Sequence, residues 1–240
     1  MKYIVSFSGG KDSTAMLLRL LEEKKPVDDI VFCDTGKEFP DLIKHIKKVE
    51  DYIKRPITIL RAEKTFDYYF LEQQRDGSEK YKQIKGYGWS SAKRRWCTTL
   101  LKTQIFKKYV KQYDDDYRIY IGFAYDENKR IIRDNNKHHI FPLNEWKMTE
   151  ADCLQYCYDR GFDWNGLYKH FDRVSCYLCP LQSKKNWLTL EKNYPELFAD
   201  AIRLDRQSCY KFSPKETLEE RIKRWHKYEE DDKKQLNLLD

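Results

Sequence analysis

The chain has 240 residues, enough for one large domain or for a domain with a helical appendage, and enough to bury a proper core. Charged residues make up 35% and aromatics 15%, and nothing approaches the run of about eighteen apolar residues that a membrane span needs. The net charge is +7, and much of the excess is local: Lys80 to Lys111 carries ten Lys or Arg and no Asp or Glu, interleaved with Tyr81, Tyr87, Trp89, Trp96 and Tyr109.

In chain order, "KYIVSF" is a short apolar, β-branched run, predicted to be a buried strand and not a signal peptide. Residues 12 to 23 place Ala15, Met16, Leu18 and Leu21 at helical spacing. "DIVFCDTG" predicts a second strand, residues 40 to 54 a second helix, and "PITILRA" a third strand. "YRIYIGFAY" alternates and ends at Gly122 as a fourth. Strands alternating with helices predict an α/β fold, an open, mostly parallel sheet with helices on both faces. Beyond Pro142 the pattern turns to helices and loops. Thr149 and Asp152 form a capping box for a helix that Gly161 stops, and Ser213 to Glu216 a second box for a helix bearing Leu218, Ile222 and Trp225. The closing "YEEDDKKQLNLLD" reads as a frayed terminus. The expected organisation is a nucleotide-binding domain over 1–145 and a helical, cysteine-bearing region over 146–240.

"SFSGGKDST" joins the first strand to the first helix. Ligands of open parallel sheets bind beyond the carboxyl ends of the strands. There Gly9 and Gly10 allow close backbone approach, successive N–H groups and the helix N-terminus attract an anion, Ser8 and Ser13 add hydroxyls and Lys11 adds charge. This is a phosphate loop, and it lacks the spacing of the Walker type.

"SGGKDS" resembles the signature of the PP-loop ATP pyrophosphatases, whose loop holds the β,γ-pyrophosphate while the α-phosphate is attacked. "FCDTGKEFPD", "RRWCTTLLK", "IGFAYDENKR" and the stretch from "FPLNEW" through "NGLY" to "CYLCP" resemble, in order, motifs of the branch that contains the phosphoadenosine phosphosulfate (PAPS) reductases. The resemblance implies an adenine nucleotide alpha hydrolase-like fold. It implies nucleotide contacts at Ser8, Gly9, Gly10, Lys11, Asp12, Ser13, Asp34, Thr35, Gly36, Gly122 and Glu127. Lys11, Asp12, Arg95 and Arg130 are the candidate catalytic residues, the two arginines gripping anionic substrate groups. Mg²⁺ is the expected companion of the phosphates.

The seven cysteines, an odd count without an export signal, read as reduced thiols or metal ligands in a cytoplasmic setting. The family's iron–sulfur members use a Cys-Cys pair and a C-x-x-C; here Cys97, Cys176 and Cys179 match, and Thr98 replaces the fourth. A [4Fe–4S] cluster takes four thiolates as a rule, so either Cys209 closes the set or one iron keeps an open site, as in some PP-loop tRNA thiolases. A zinc site is the alternative. Cys33, Cys153 and Cys157 read as core, and His138 and His139 as part of a basic loop without a role.

Three readings share a nucleotide at residues 8 to 13. The first is ATP-dependent adenylation of an acceptor for sulfur transfer, the acceptor being tRNA, DNA or a small molecule, with a sulfur-donor protein as partner and the 80–111 stretch as the nucleic-acid surface. The second is reduction of PAPS or APS to sulfite. The expected tail with a reactive cysteine is not matched after Cys209, which ranks this reading second. The third is a nucleotide-binding module of a nucleic-acid modification or defence system.

Overall fold

The computed structural model describes residues 1–74 and 83–236. Lys80 and Tyr81, at the start of the basic stretch, lie outside the described residues, as do the last four residues of the chain. The chain groups into two compact units, Met1–Ala62 with Thr98–Cys176 and Glu63–Cys97 with Tyr177–Asp240.

The first unit is built on five parallel strands in the order β3-β2-β1-β4-β5. They are β1 (Lys2–Phe7), β2 (Asp29–Asp34), β3 (Thr58–Arg61), β4 (Tyr117–Ile121) and β5 (His139–Ile140). β1 is central, and Ile4 and Val5 are fully buried because parallel strands are covered on both faces. Helix α1 (Lys11–Glu22) buries Ala15, Met16, Leu17, Leu18 and Leu20 against the sheet side of its surface. Helix α2 (Pro40–Ile53) opens on a proline at its first position and buries Leu42, His45, Ile46 and Val49, the i, i+3, i+4, i+7 stripe of an amphipathic helix. On the other face, Ile4 and Val31 join Val110 of α4 (Gln104–Val110), with Leu60, Phe106, Tyr109, Tyr113 and Tyr117 packed around them. A π-helical turn, Thr99–Thr103, precedes α4.

The order of strands creates the place for a site. The chain moves from β1 to β2 to β3 in one direction, then returns to lay β4 on the opposite side of β1. Between β1 and β4 the connections therefore diverge above and below the sheet, leaving a crevice at the carboxyl ends, beside Ser8 and Gly122. β5 is a two-residue edge strand, too short for alternation to reveal, and it turns the expected loop role of His138 and His139 into a structural one. His138 is buried, stacks on Tyr117 at 4.3 Å and meets Asp115 at 2.9 Å. Helix α5 (Glu150–Tyr158) carries the Thr149–Asp152 capping box as expected and packs on α1.

The second unit is helical: α3 (Phe66–Leu71), α6 (Lys184–Asn193), α7 (Pro195–Gln207) and α8 (Leu218–Leu236). Its core is aromatic. Trp89 meets Phe70, Trp187 and Phe212 edge-on at 5.2, 6.0 and 5.0 Å. Trp89 and Trp96 are each 6% exposed, so the tryptophans interleaved in the basic stretch are core and not stacking platforms. Buried Asp205 accepts from Trp89 Nε1 at 2.6 Å and from the Leu218 N–H at 2.7 Å, which caps α8. The box at Ser213 does not open this helix. Ser213 turns back onto the Glu216 carbonyl at 3.0 Å, and the reciprocal pair is Thr217 with Glu220, four residues later. Glu216 is instead drawn off by Arg221 and Arg224. Among the described residues no helix is long and apolar enough to cross a membrane.

Candidate functional site

The junction of β1 and α1 forms a tight loop. Gly9 has φ +74°, and a Cβ there would come within 2.9 Å of Ile46, so glycine is required twice over. Ser13 Oγ donates to the Gly10 carbonyl at 3.1 Å and accepts the Ser8 N–H at 3.1 Å, and the two serine hydroxyls lie 2.9 Å apart. The serines thus lock the loop as well as lining it. Gly10 caps α1 without a side-chain bond, and the N–H groups of Asp12 and Ser13 find no acceptor among the described residues. Unmet N–H groups at a helix N-terminus favour an anion. From the other side of the crevice, a Cβ on Gly122 would stand 3.1 Å from the Ser13 backbone nitrogen, so β4 ends as close to the loop as a chain can come.

Lys11 is buried and paired with Asp12 at 3.3 Å and with Glu150. Burial alone would lower its pKa. The charges and hydrogen bonds of Asp12 and Glu150 together outweigh burial, and the pKa is raised. Asp12 is pushed up to about 6 by burial, against the pull of Lys11, and the charges of Glu150 and Glu127 add to the rise. Its Oδ1 is buried with no hydrogen-bond partner. Asp126 accepts the Glu150 N–H at 3.1 Å, which ties the loop after β4 to the start of α5. Around Lys11, then, lies a surplus of carboxylates, and a polyphosphate there calls for a cation.

The segment from Trp164 to Cys176 runs along the same edge. Trp164 Nε1 donates to the Gly9 carbonyl at 2.7 Å, and the Lys11 N–H donates to the Tyr168 hydroxyl at 2.8 Å. Trp164 stacks on His45 at 4.2 Å, and His45 Nε2 meets Thr14 Oγ1 at 3.0 Å. Burial, with help from Lys48, depresses the His45 pKa to about 3, so the ring is neutral. Trp164 and Asn165 both sit at φ 51°, and Asn165 donates to Asp41 at 2.8 Å. Cys157 donates to the Lys11 carbonyl from beneath. None of Trp164, Tyr168 or His45 was assigned a role from sequence; the signal was the "NGLY" motif.

At the end of β2, Asp34 accepts the Gly36 N–H at 2.8 Å and Arg61 at 2.8 Å, while the Thr35 hydroxyl turns into buried Glu38 at 2.8 Å. Glu38 bridges antiparallel to Cys176. A cavity of about 370 Å³ opens beside this loop, lined by Ser6, Ser8, Cys33, Phe106, Ile121 and His139 among others. Burial pushes the Cys33 thiol up to about 11, and Cys33 donates to the Lys102 carbonyl of the π-turn.

The remaining expected residues are less concentrated. Glu127 pairs with exposed Arg130 at 2.7 Å, and Arg130 lies 3.9 Å over the Phe123 ring. Arg95 is exposed and belongs to the second unit. Cys176 ends the first unit, whereas Cys97, Cys179 and Cys209 belong to the second. Cys97 approaches Ser90 Oγ at 3.6 Å, and Cys209 is exposed. Among the described residues no group of three or more His, Cys, Asp or Glu is gathered to hold a metal.

The uncharacterized protein MJ0973 of Methanocaldococcus jannaschii is 32% identical over 206 residues, covering 80% of this chain and 45% of that protein. The uncharacterized nin region protein ORF290 of Escherichia phage lambda is 28% identical over 177 residues, covering 67% and 60%. The chain spans about half the length of the curated relatives it matches. Among solved structures it is similar to PAPS reductase from Candida auris in a phosphate complex, with TM-score 0.45, 17% identity and coverage of 70% and 77%. It is likewise similar to the U34-tRNA thiolase NcsA of Methanococcus maripaludis with its [4Fe-4S] cluster, with TM-score 0.46, 19% identity and coverage of 86% and 72%. The family model of the phosphoadenosine phosphosulfate reductase domain matches residues 2–182, from β1 through the C-x-x-C motif, and the chain belongs to that family.

Proposed function

We propose that the protein binds ATP, or a related adenine nucleotide, and adenylates an acceptor for sulfur transfer. The observation that carries this reading is the Ser8–Ser13 loop at the β1–β4 switch point, with unmet helix N–H groups and a buried, protonated Lys11. The polyphosphate would lie on the loop and the base would enter the adjoining cavity, whose volume of about 370 Å³ suits a small ligand. Asp34, Thr35 and Gly36 follow Cys33, which lines that cavity, and would be the nucleotide contacts from β2, while a side chain at Gly122 would crowd the Ser13 backbone.

In the reaction an acceptor oxygen attacks the α-phosphorus, and the bond to the β,γ-pyrophosphate breaks. Lys11 and the α1 N-terminus stabilise the negative charge that moves onto the leaving pyrophosphate. A sulfide-equivalent nucleophile then displaces AMP, forming the carbon–sulfur bond as the carbon–oxygen bond breaks. Mg²⁺ fits the unpartnered Asp12 Oδ1 and would supply charge neutralisation for the phosphates. Cys97, Cys176, Cys179 and Cys209 are the residues that would hold an iron–sulfur cluster or zinc, and the adenylation itself uses none of them. Arg130 is the arginine on the crevice loop, and Arg95 belongs with the exposed Lys93 and Arg94 on a surface suited to a tRNA or DNA acceptor.

The test incubates the protein, prepared without oxygen, with ATP, PAPS and APS in turn and scores pyrophosphate against sulfite. Pyrophosphate from ATP, dependent on added acceptor RNA or DNA, is expected. Sulfite from PAPS or APS with thioredoxin would replace this reading by sulfonucleotide reduction.

A further inference from the structure

We propose that Tyr168 is a phosphate-positioning residue, accepting the Lys11 N–H and turning its own phenolic proton onto the phosphate of the bound nucleotide. The inference rests on the nucleotide reading above and names a contact that reading does not contain.

The geometry is specific. Lys11 is the first residue of α1, so its N–H points out of the helix N-terminus, toward the place where an anion is favoured. In the structure that N–H is taken by the Tyr168 oxygen at 2.8 Å. The same oxygen lies 3.3 Å from where a Gly10 Cβ would be, hard against the loop. The Lys11 ammonium sits 5.8 Å from the centre of the Tyr168 ring. A hydroxyl that accepts one hydrogen bond still holds one proton to donate. Among the described residues no acceptor takes the Tyr168 proton.

Tyrosine suits the position for two reasons. Burial raises its pKa, so the proton stays on the oxygen across the physiological range. An oxygen that accepts from an amide is polarised, and its donated bond to a phosphate oxygen is strengthened. The ring is also fixed. It meets Trp164 edge-on at 4.8 Å and 82°, and Trp164 is itself anchored to the Gly9 carbonyl. Two residues of one short turn thus grip two successive peptide units of the loop. The chain then passes the loop again, with the Val174 carbonyl 3.7 Å from the same Gly10 position, and reaches Cys176 bridged to Glu38. The segment that bears Tyr168 is therefore held at several points, and its hydroxyl is delivered as part of the cradle.

The experiment measures calorimetric affinities of ATP, inorganic pyrophosphate and adenosine for the wild type, Tyr168→Phe and Lys11→Ala. Tyr168→Phe keeps the ring against Trp164 and removes only the hydroxyl. ATP and pyrophosphate are expected to bind roughly tenfold more weakly, the loss of one charge-assisted hydrogen bond, while adenosine binds as before. Equal ATP affinity in wild type and Tyr168→Phe would overturn the inference, and so would an equal loss for adenosine, which marks a purely structural residue. If Lys11→Ala also leaves ATP affinity unchanged, the nucleotide reading itself fails. Fluorotyrosine placed at position 168 gives a readout in a protein with the ring intact. Its fluorine resonance should move on adding pyrophosphate and stay still with adenosine; no movement with pyrophosphate would overturn the proposal.

Discussion

The indole of Trp164 donates to the carbonyl of Gly9 at 2.7 Å, a bond between residues 155 positions apart in the chain. Gly9 is the turn that lets β1 end and α1 begin, and its carbonyl is the acceptor that an ordinary helix start would leave to water. The loop between β1 and α1 is thus completed by a residue from the far end of the family domain.

Trp164→Phe should therefore cost stability through a buried carbonyl left without a donor, about 1–3 kcal/mol in urea unfolding. The same substitution preserves most of the stacking on His45. An unchanged unfolding midpoint would mean that the bond is dispensable.

The pH dependence of stability follows from Asp12. Its folded pKa, about 6, lies above the ordinary carboxylate value of 3.8 because burial penalises the charge. Between those values the folded state holds the extra proton, so stability falls as pH rises through that window and the full cost is present above it. Asp12→Asn removes the cost and should stabilise the protein at pH 8 by an amount on the order of 2 kcal/mol. The difference should shrink toward pH 4. At the same time the variant should lose turnover, because a neutral amide lacks the carboxylate charge that would hold Mg²⁺. A variant less stable than wild type at pH 8 would contradict the assignment.

The contrast between what was legible in the sequence and what was not has a physical origin. The β1–α1 junction at residues 8 to 13 was legible because it is local: its glycines, hydroxyls and lysine fall within one turn of chain. β1 to β4 were legible because their apolar runs are long enough to carry a pattern. β5 was not, since two residues at a sheet edge show no alternation. The tie from Tyr168 to Lys11 joins distant segments, and no spacing rule reports it. At residues 213–216 the capping pattern meets competition. A serine, a proline and a glutamate satisfied the capping pattern, but Glu216 is engaged by two arginines and the helix starts at Leu218.

Lys93, Arg94 and Arg95 are exposed, directly before the buried Trp96 that fixes their segment in the second unit. If this surface holds the acceptor, tRNA or DNA affinity should fall steeply with salt as counterions are released. Replacing the three by Ala should weaken binding and flatten the salt slope by about one unit for each phosphate that is no longer neutralised. Affinity that is insensitive to salt would exclude this surface.

The central claim is that the loop at the β1–β4 switch point binds the polyphosphate of an adenine nucleotide. Titration calorimetry of ATP with wild-type protein and Lys11→Ala tests it most directly, with Lys47→Ala, on the exposed face of α2, as a control of equal charge change. Loss of the buried ammonium should weaken ATP binding at least tenfold, while Lys47→Ala should leave it within about twofold of wild type. Equal ATP affinities in all three proteins would contradict the account.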